Sequence, residues 1–244
     1  MIDWLRKEML EPEIMLDTST GTLTLPIVLR RHPRARRMTL RLAPDGSEAR
    51  VSLPRWASSR EAIEFAQSRQ AWLEGQLAKI PQGAAPTPGG TLMYRGETMQ
   101  INWDAAAPRK PSFEDGMITL GGPQSSLLPR LQKALEARAL DLFEHDRDHY
   151  CAAAGLDAAP VKLSRAQRRW GSCSSKKALR INWRLIQAPD YVRRSVVAHE
   201  VTHLVHFDHS PAFHAMLGSL FEGNIHTADA WLKDKGRSLY ASFG

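Results

Sequence analysis

With 244 residues, 43% hydrophobic and 24% charged, the chain has the balance of a globular protein and is long enough to bury a core without disulfide staples, which excludes a disordered chain. Its two cysteines, Cys151 and Cys173, exclude a disulfide framework, and no run of about 18 apolar residues is present to span a membrane. A formal charge of +7 favours acidic partners such as phosphates or nucleic acid, and the mixed charges of the first eight residues are unlike a basic signal peptide, so the cytoplasm is the expected setting.

Residues 1–22 read as a loosely attached arm, 23–121 as a strand-rich region and 122–244 as a helix-rich one. Strands are predicted at 27–30 and 38–42, on either side of a basic loop that contains Arg34, Arg36 and Arg37. The Pro44-Asp45-Gly46 turn leads to a further strand at 49–53, so a small antiparallel sheet is expected. Ser58 and Glu61 have capping-box spacing, and Ala62, Ile63, Ala66, Leu73 and Leu77 repeat at helical spacing up to Pro81. The breaker-rich segment 81–90 reads as a loop, followed by strand-like runs at 91–103 and 117–120.

Around Gly121 the pattern changes. Leu127, Leu128, Leu131, Leu135, Ala139 and Leu142 mark one long amphipathic helix running to about Ala154. A strand at 161–164, a turn at 170–175 and a strand at 178–183 follow. In the last of these Leu179, Ile181 and Trp183 are predicted to face opposite to Arg180, Asn182 and Arg184. Helices are predicted from there to the C-terminus. No internal repeat is visible.

The pentapeptide His199-Glu-Val-Thr-His203 carries the strongest chemical signal. Histidines four residues apart share one helix face, so both imidazoles can reach a single ion, with Glu200 beside it to accept a proton from water. Asp190 is the expected cap of this helix, and Val197, Val201 and Leu204 give it a second apolar stripe. Six of the nine histidines fall between His199 and His226, which concentrates ligand chemistry around the motif.

A catalytic zinc needs three protein ligands and an open position for water. His206, His209, His214 and Glu222 compete to be the third. His206 lies on the His199/His203 face but about 7 Å further along a continuous helix. His209 follows at the distance where a chain leaving the helix can fold back, and Ser210-Pro211 supplies a break as N-cap and first helical residue. The spacing from first to third ligand is that of the metzincin signature, with His206 in place of its glycine. His209 is therefore preferred, and the other three stay open.

Several separated segments together resemble the YgjP-like metallopeptidases, a zincin family. They are Arg34-Ala-Arg-Arg37 ahead of a strand, Arg169-Trp-Gly-Ser-Cys173, Ile181-Asn-Trp-Arg-Leu185 with Ala188-Pro189, and the histidine motif with His209-Ser210. The resemblance implies an α+β, zincin-like catalytic region, one zinc ion on His199, His203 and His209, and Glu200 as the base. It also implies a peptide substrate, although some members are described as UTP pyrophosphatases. Two departures are visible: Val201 stands where leucine is usual, and His214 where tryptophan is usual.

Weaker candidates surround this motif. Trp170 and Arg168 are expected to line a substrate cleft, against the plainer alternative of a packed tryptophan and a buried thiol. Arg34, Arg36 and Arg37 could hold a triphosphate or nucleic acid, or simply form a solvated loop. For Cys173 a buried thiol is preferred over a ligand. Three readings follow. The first is a zinc metallopeptidase, supported by a hairpin from Val161 to Trp183 whose edge could pair with a peptide. The second is a UTP pyrophosphatase on the same metal, which would use the basic loop. The third is a nucleic-acid-associated protein with a structural metal, which would have no need of Glu200.

Overall fold

Alternation of apolar and polar residues builds the first sheet. A computed structural model describes residues 12–18, 21–78 and 85–243 and divides the chain into two compact units, residues 1–82 and 83–243. In the first, β1 (Glu13–Thr18), β2 (Gly21–Arg31), β3 (Thr39–Leu42) and β4 (Ala49–Leu53) form one sheet. Leu25 and Ile27 of β2 and Ala49, Val51 and Leu53 of β4 turn inward and are almost wholly buried. The strand order is β1-β2-β4-β3, and the central pair β2/β4 is parallel, not antiparallel as expected, because β3 returns along the outer side of β4. Residues 13–18 pair with β2 along their whole length, so this part of the expected arm is a sheet strand; residues 1–11 lie outside the described residues.

The capping box forms. Ser58 Oγ accepts from the Glu61 backbone N–H at 3.1 Å, and Glu61 accepts from the Ser58 N–H at 2.8 Å. The single helix expected here is two, α1 (Ser59–Gln67) and α2 (Gln70–Leu77), because the chain leaves the helical path at Ser68 and Arg69. Part of the loop predicted at 81–90 lies outside the described residues, and 85–90 is free of helix and strand.

In the second unit β5 (Thr91–Tyr94), β6 (Glu97–Trp103), β7 (Ser112–Glu114) and β8 (Met117–Leu120) repeat the first sheet's plan: outer hairpins around a parallel central pair, in the order β5-β6-β8-β7. This is a repeat of topology without a repeat of sequence, which is why the sequence does not display it. The change of pattern at Gly121 is no boundary between units, since this sheet belongs with the helices that follow.

Helix α3 (Leu127–Ala153) buries Leu127, Leu131, Leu135, Ala139 and Phe143 at four-residue spacing, with Tyr150 two turns further on the same stripe. Asp146 lies in the same stripe and is 1% exposed. It meets Arg193 of α4 (Asp190–Thr202), whose Nε lies 2.8 Å from Asp146 Oδ2.

A third sheet lies beside α4: β9 (Val161–Ser164), β10 (Gly171–Cys173) and β11 (Leu179–Asn182), in the order β10-β11-β9. Val161 to Trp183 is thus no simple hairpin, since β9 runs parallel to β11 and only β10 runs antiparallel to it. The predicted two-faced strand also ends early. Trp183–Gln187 is a 3-10 turn that buries Arg184, while buried Asn182 caps it through the Arg184 N–H at 3.1 Å and donates to the Ala166 carbonyl at 2.8 Å. The chain closes with α5 (Pro211–Leu220) and α6 (Ile225–Lys235). Among the described residues, no helix is long and apolar enough to cross a membrane.

Candidate metal centre

Helix α4 is buried along most of its length, with Val192, Val197, Ala198 and Val201 fully enclosed, so the residues it carries are held in fixed positions. Its N-cap is Pro189 and not Asp190. Asp190 occupies the first turn and pairs with Arg95 and Arg193. Burial alone would push its carboxyl up, but the hydrogen bond from Arg95 and the charges of Arg193 and Arg95 outweigh burial and hold it below the ordinary carboxylate range.

Three imidazoles converge at the other end. His199 Nε2 lies 3.1 Å from His203 Nε2 and 3.2 Å from His209 Nε2. Two metal–nitrogen bonds of ordinary zinc length meeting at the tetrahedral angle would separate their nitrogens by roughly 3.3 Å. Both edges that meet at His199 are close to this length, and the three ligand nitrogens all lie within 4.8 Å of one another, so the donor set fits a tetrahedral ion with its fourth position open. Among the described residues this is the only group of three or more His, Cys, Asp or Glu side chains placed to hold a metal.

The helix break sets this geometry. Helix α4 ends at Thr202, and the turn after it brings the His206 carbonyl within 2.8 Å of His203 Nδ1. That contact is a hydrogen bond only if Nδ1 carries the proton, which leaves the Nε2 lone pair free to face the cluster. His206 therefore contributes through its backbone. Its side chain is not part of the group. Ser210 then caps α5 by accepting from the Phe213 N–H, with Pro211 in the first turn, which leaves His209 in the connecting turn as the spacing implies. Phe213 packs against all three imidazoles at ring-centre distances of 4.7–4.9 Å. Burial, followed by the neighbouring charges of His203, His209 and His214, pushes the His199 ring down to about 4, so it is neutral and its lone pair is available near pH 7.

The other candidates lie elsewhere. Glu222 accepts from the Tyr150 hydroxyl at 2.9 Å and pairs with Arg194 at 2.9 Å. His214 is exposed, with its ring 6.5 Å from that of His209.

Glu200 is 5% exposed, and its Oε2 has no hydrogen-bond partner among the described residues. Burial pushes its carboxyl up to about 7, against the opposing charge of Arg169. It lies against the backbone of Gly171 on edge strand β10, where an added Cβ would come within 2.6 Å of Glu200 Cγ. Beside it opens a cleft of about 210 Å³ bordered by Trp170, Val196, His199, Leu217, Ile225 and Leu232. Trp170 is held from behind by Tyr240, with ring centres 5.6 Å apart. Arg168 is exposed and does not border this cleft, whereas Arg169 acts on Glu200 through its charge. Cys173 is half-buried, and burial together with the Glu200 charge raises its pKa. Arg34, Arg36 and Arg37 belong to the first unit, in the connection between β2 and β3. Gly171 and Phe213 were not picked out by sequence reasoning, since neither carries a ligand atom; the glycine inside the Trp170–Cys173 turn was the only available hint.

The profile of the family described as "YgjP-like, metallopeptidase domain" matches residues 36–235. The chain belongs to the YgjP-like family. A metallopeptidase-type, metal-requiring hydrolytic function comes with that membership. Among solved structures, the metallopeptidase zymogen of Pyrococcus abyssi abylysin is similar over 39% of this chain and 92% of its own, at 17% identity and a TM-score of 0.33, a likeness too distant to bear on fold or function. No curated protein gives a significant match. The mixed strand-and-helix architecture and the metallopeptidase family agree with the zincin-like, α+β class that the resemblance implies for YgjP-like chains.

Proposed function

We propose that this YgjP-like chain is a zinc metallopeptidase in which His199, His203 and His209 hold one zinc ion and Glu200 is the general base and acid of peptide hydrolysis. The convergence of three imidazole nitrogens, with both edges at His199 near tetrahedral length, carries this reading. When bound, zinc supplies a Lewis acid that polarises the scissile carbonyl and lowers the pKa of water.

The remaining steps belong to the protein. Glu200 Oε2, buried and without a partner among the described residues, accepts a proton from the attacking water and holds it. A carboxyl pushed up to about 7 can then deliver that proton to the departing amine at neutral pH. Gly171 lets the edge strand approach closely enough to fix the carboxyl. Beyond it, β10 has β11 on one side only, so its other edge can pair with an extended peptide while the cleft, of mixed polar and apolar lining, takes a side chain.

The test compares zinc-loaded wild type with Glu200→Gln on an unstructured protein and on UTP. Cleavage of the protein substrate should fall by about 10²–10⁴-fold in Glu200→Gln, the usual contribution of such a group, with zinc content unchanged. Full activity in that variant would overturn the role of Glu200. Pyrophosphate released from UTP by wild type alone, with no peptide cleaved, would move the chain to the nucleotide hydrolases. Gly171→Ala should also retain zinc yet lose activity by about 100-fold, because a displacement of about 1 Å at a reacting group costs that much.

A further inference from the structure

We infer that the second unit carries an anion-binding pocket for a small molecule bearing two or more phosphate groups, built separately from the histidine cluster. A cavity of about 640 Å³ lies between the β6–β7 connection and one face of α3. It is lined by five cations: Arg109 and Lys110 from the connection, and Arg130, Lys133 and Arg138 from the helix. Asp141 at one end is the only acid bordering it.

Seven arginines outside the cavity are matched by an acid: Arg50, Arg60, Arg95, Arg147, Arg165, Arg193 and Arg194 each meet a carboxylate. Among the described residues, none of the five cations in this cavity does. Two of them are nevertheless held in place by neutral groups. Arg130 donates to the Gly121 carbonyl, to the Pro123 carbonyl at 2.8 Å and to the Ser126 carbonyl at 3.0 Å. Arg138 stacks over the Phe113 ring at 4.3 Å and lies 3.4 Å from the Tyr94 hydroxyl. Their guanidinium planes are therefore fixed while their charges remain uncancelled; Arg130, most of whose N–H groups are already donated to carbonyls, supplies positive charge to an anion without a free fork.

Two of the cations, Arg109 and Arg130, also lie close together. Gly122, at φ +78, separates Arg109 from Arg130; an added Cβ there would lie 3.0 Å from Arg109 Cγ and 3.2 Å from Arg130 Nη1. Bringing like charges together without an acid is unfavourable unless an anion sits between them. The remaining lining is apolar, from Pro111, Ala134 and Ala137, and the volume falls within the range of about 300–1,000 Å³ usual for small-molecule sites. A concave pocket with an apolar floor suits a compact phosphorylated molecule better than an extended nucleic-acid backbone, which a long basic stripe would track.

Calorimetric titration of the zinc-loaded full chain with a hexose bisphosphate tests this, with the unphosphorylated hexose and a 12-nucleotide single-stranded DNA alongside. One molecule of bisphosphate should bind per chain and the bare hexose should not. Affinity should fall at least tenfold in Lys110→Glu/Lys133→Glu and stay unchanged in Arg34→Glu/Arg36→Glu/Arg37→Glu, with zinc content constant throughout. Arg109→Ala, a milder change at an exposed side chain, should weaken binding in the same direction and keeps the test decisive if the double variant does not fold. No binding by wild type would overturn the inference, as would equal binding by the pocket variants. DNA binding tighter than the bisphosphate and growing with strand length would replace it with a nucleic-acid surface.

Discussion

The two four-stranded sheets follow one plan and serve different ends. In each, a hairpin leads into a parallel central pair flanked by a second hairpin, and in each the connection after the second strand is basic. In the first unit that connection carries Arg34, Arg36 and Arg37, and the helices that follow are short. In the second it carries Arg109 and Lys110, and the helix that follows has 27 residues. The long helix offers one face to the core and a neighbouring face to the connection, so the same topology gains a lined cavity and an anchor for α4. The plan of a sheet is thus a weak guide to its chemistry, and the element placed beside it decides what the sheet can do.

That difference can be broken at its anchor. The side chains of Arg193 and Asp146 are both almost wholly buried, and Asp146→Ala would leave Arg193 without its main buried partner. Such a loss typically costs about 3–5 kcal/mol, so urea unfolding should show a fall of that size. A smaller effect should follow metal removal. At metal concentrations of 100–1,000 times Kd, binding stabilises a fold by about 3–4 kcal/mol. Chelation should accordingly speed hydrogen exchange of the α4 amides by about two to three orders of magnitude and leave the β4 amides of the first sheet unaffected. Loss of protection in β4 as well would show that the metal supports both units. The smallest effect is expected at the first unit's capping box: Ser58→Ala should cost about 1 kcal/mol, read as a modest shift in the unfolding midpoint.

What could be read from the sequence follows from how local the information is. Helix α3 shows through its buried repeat, and His199, Glu200 and His203 through the spacing of one helical turn. His209 could be preferred because Ser210-Pro211 announces a new helix start. The parallel pairings β2/β4, β6/β8 and β9/β11 have no comparable mark, because partners in such pairs are joined by crossovers that no short window contains. Asn182 and Arg184 were misplaced for a related reason: alternation describes a continuing strand, and here the strand gives way to a 3-10 turn that the Asn182 side chain itself caps. The role of Asp190 was also out of reach, since its partner Arg95 is distant in sequence and only the fold brings the two together.

Gly171 has a consequence for how such a protein can be altered. The carboxyl of Glu200 rests on a position with no side chain, so the boundary of the cleft there is drawn by main chain alone. Saturation mutagenesis aimed at acids, histidines and aromatics would leave this position untouched, yet each of the nineteen replacements adds volume where none is free. The tolerance of the site to redesign is therefore set as firmly by an empty position as by the residues that carry its chemistry.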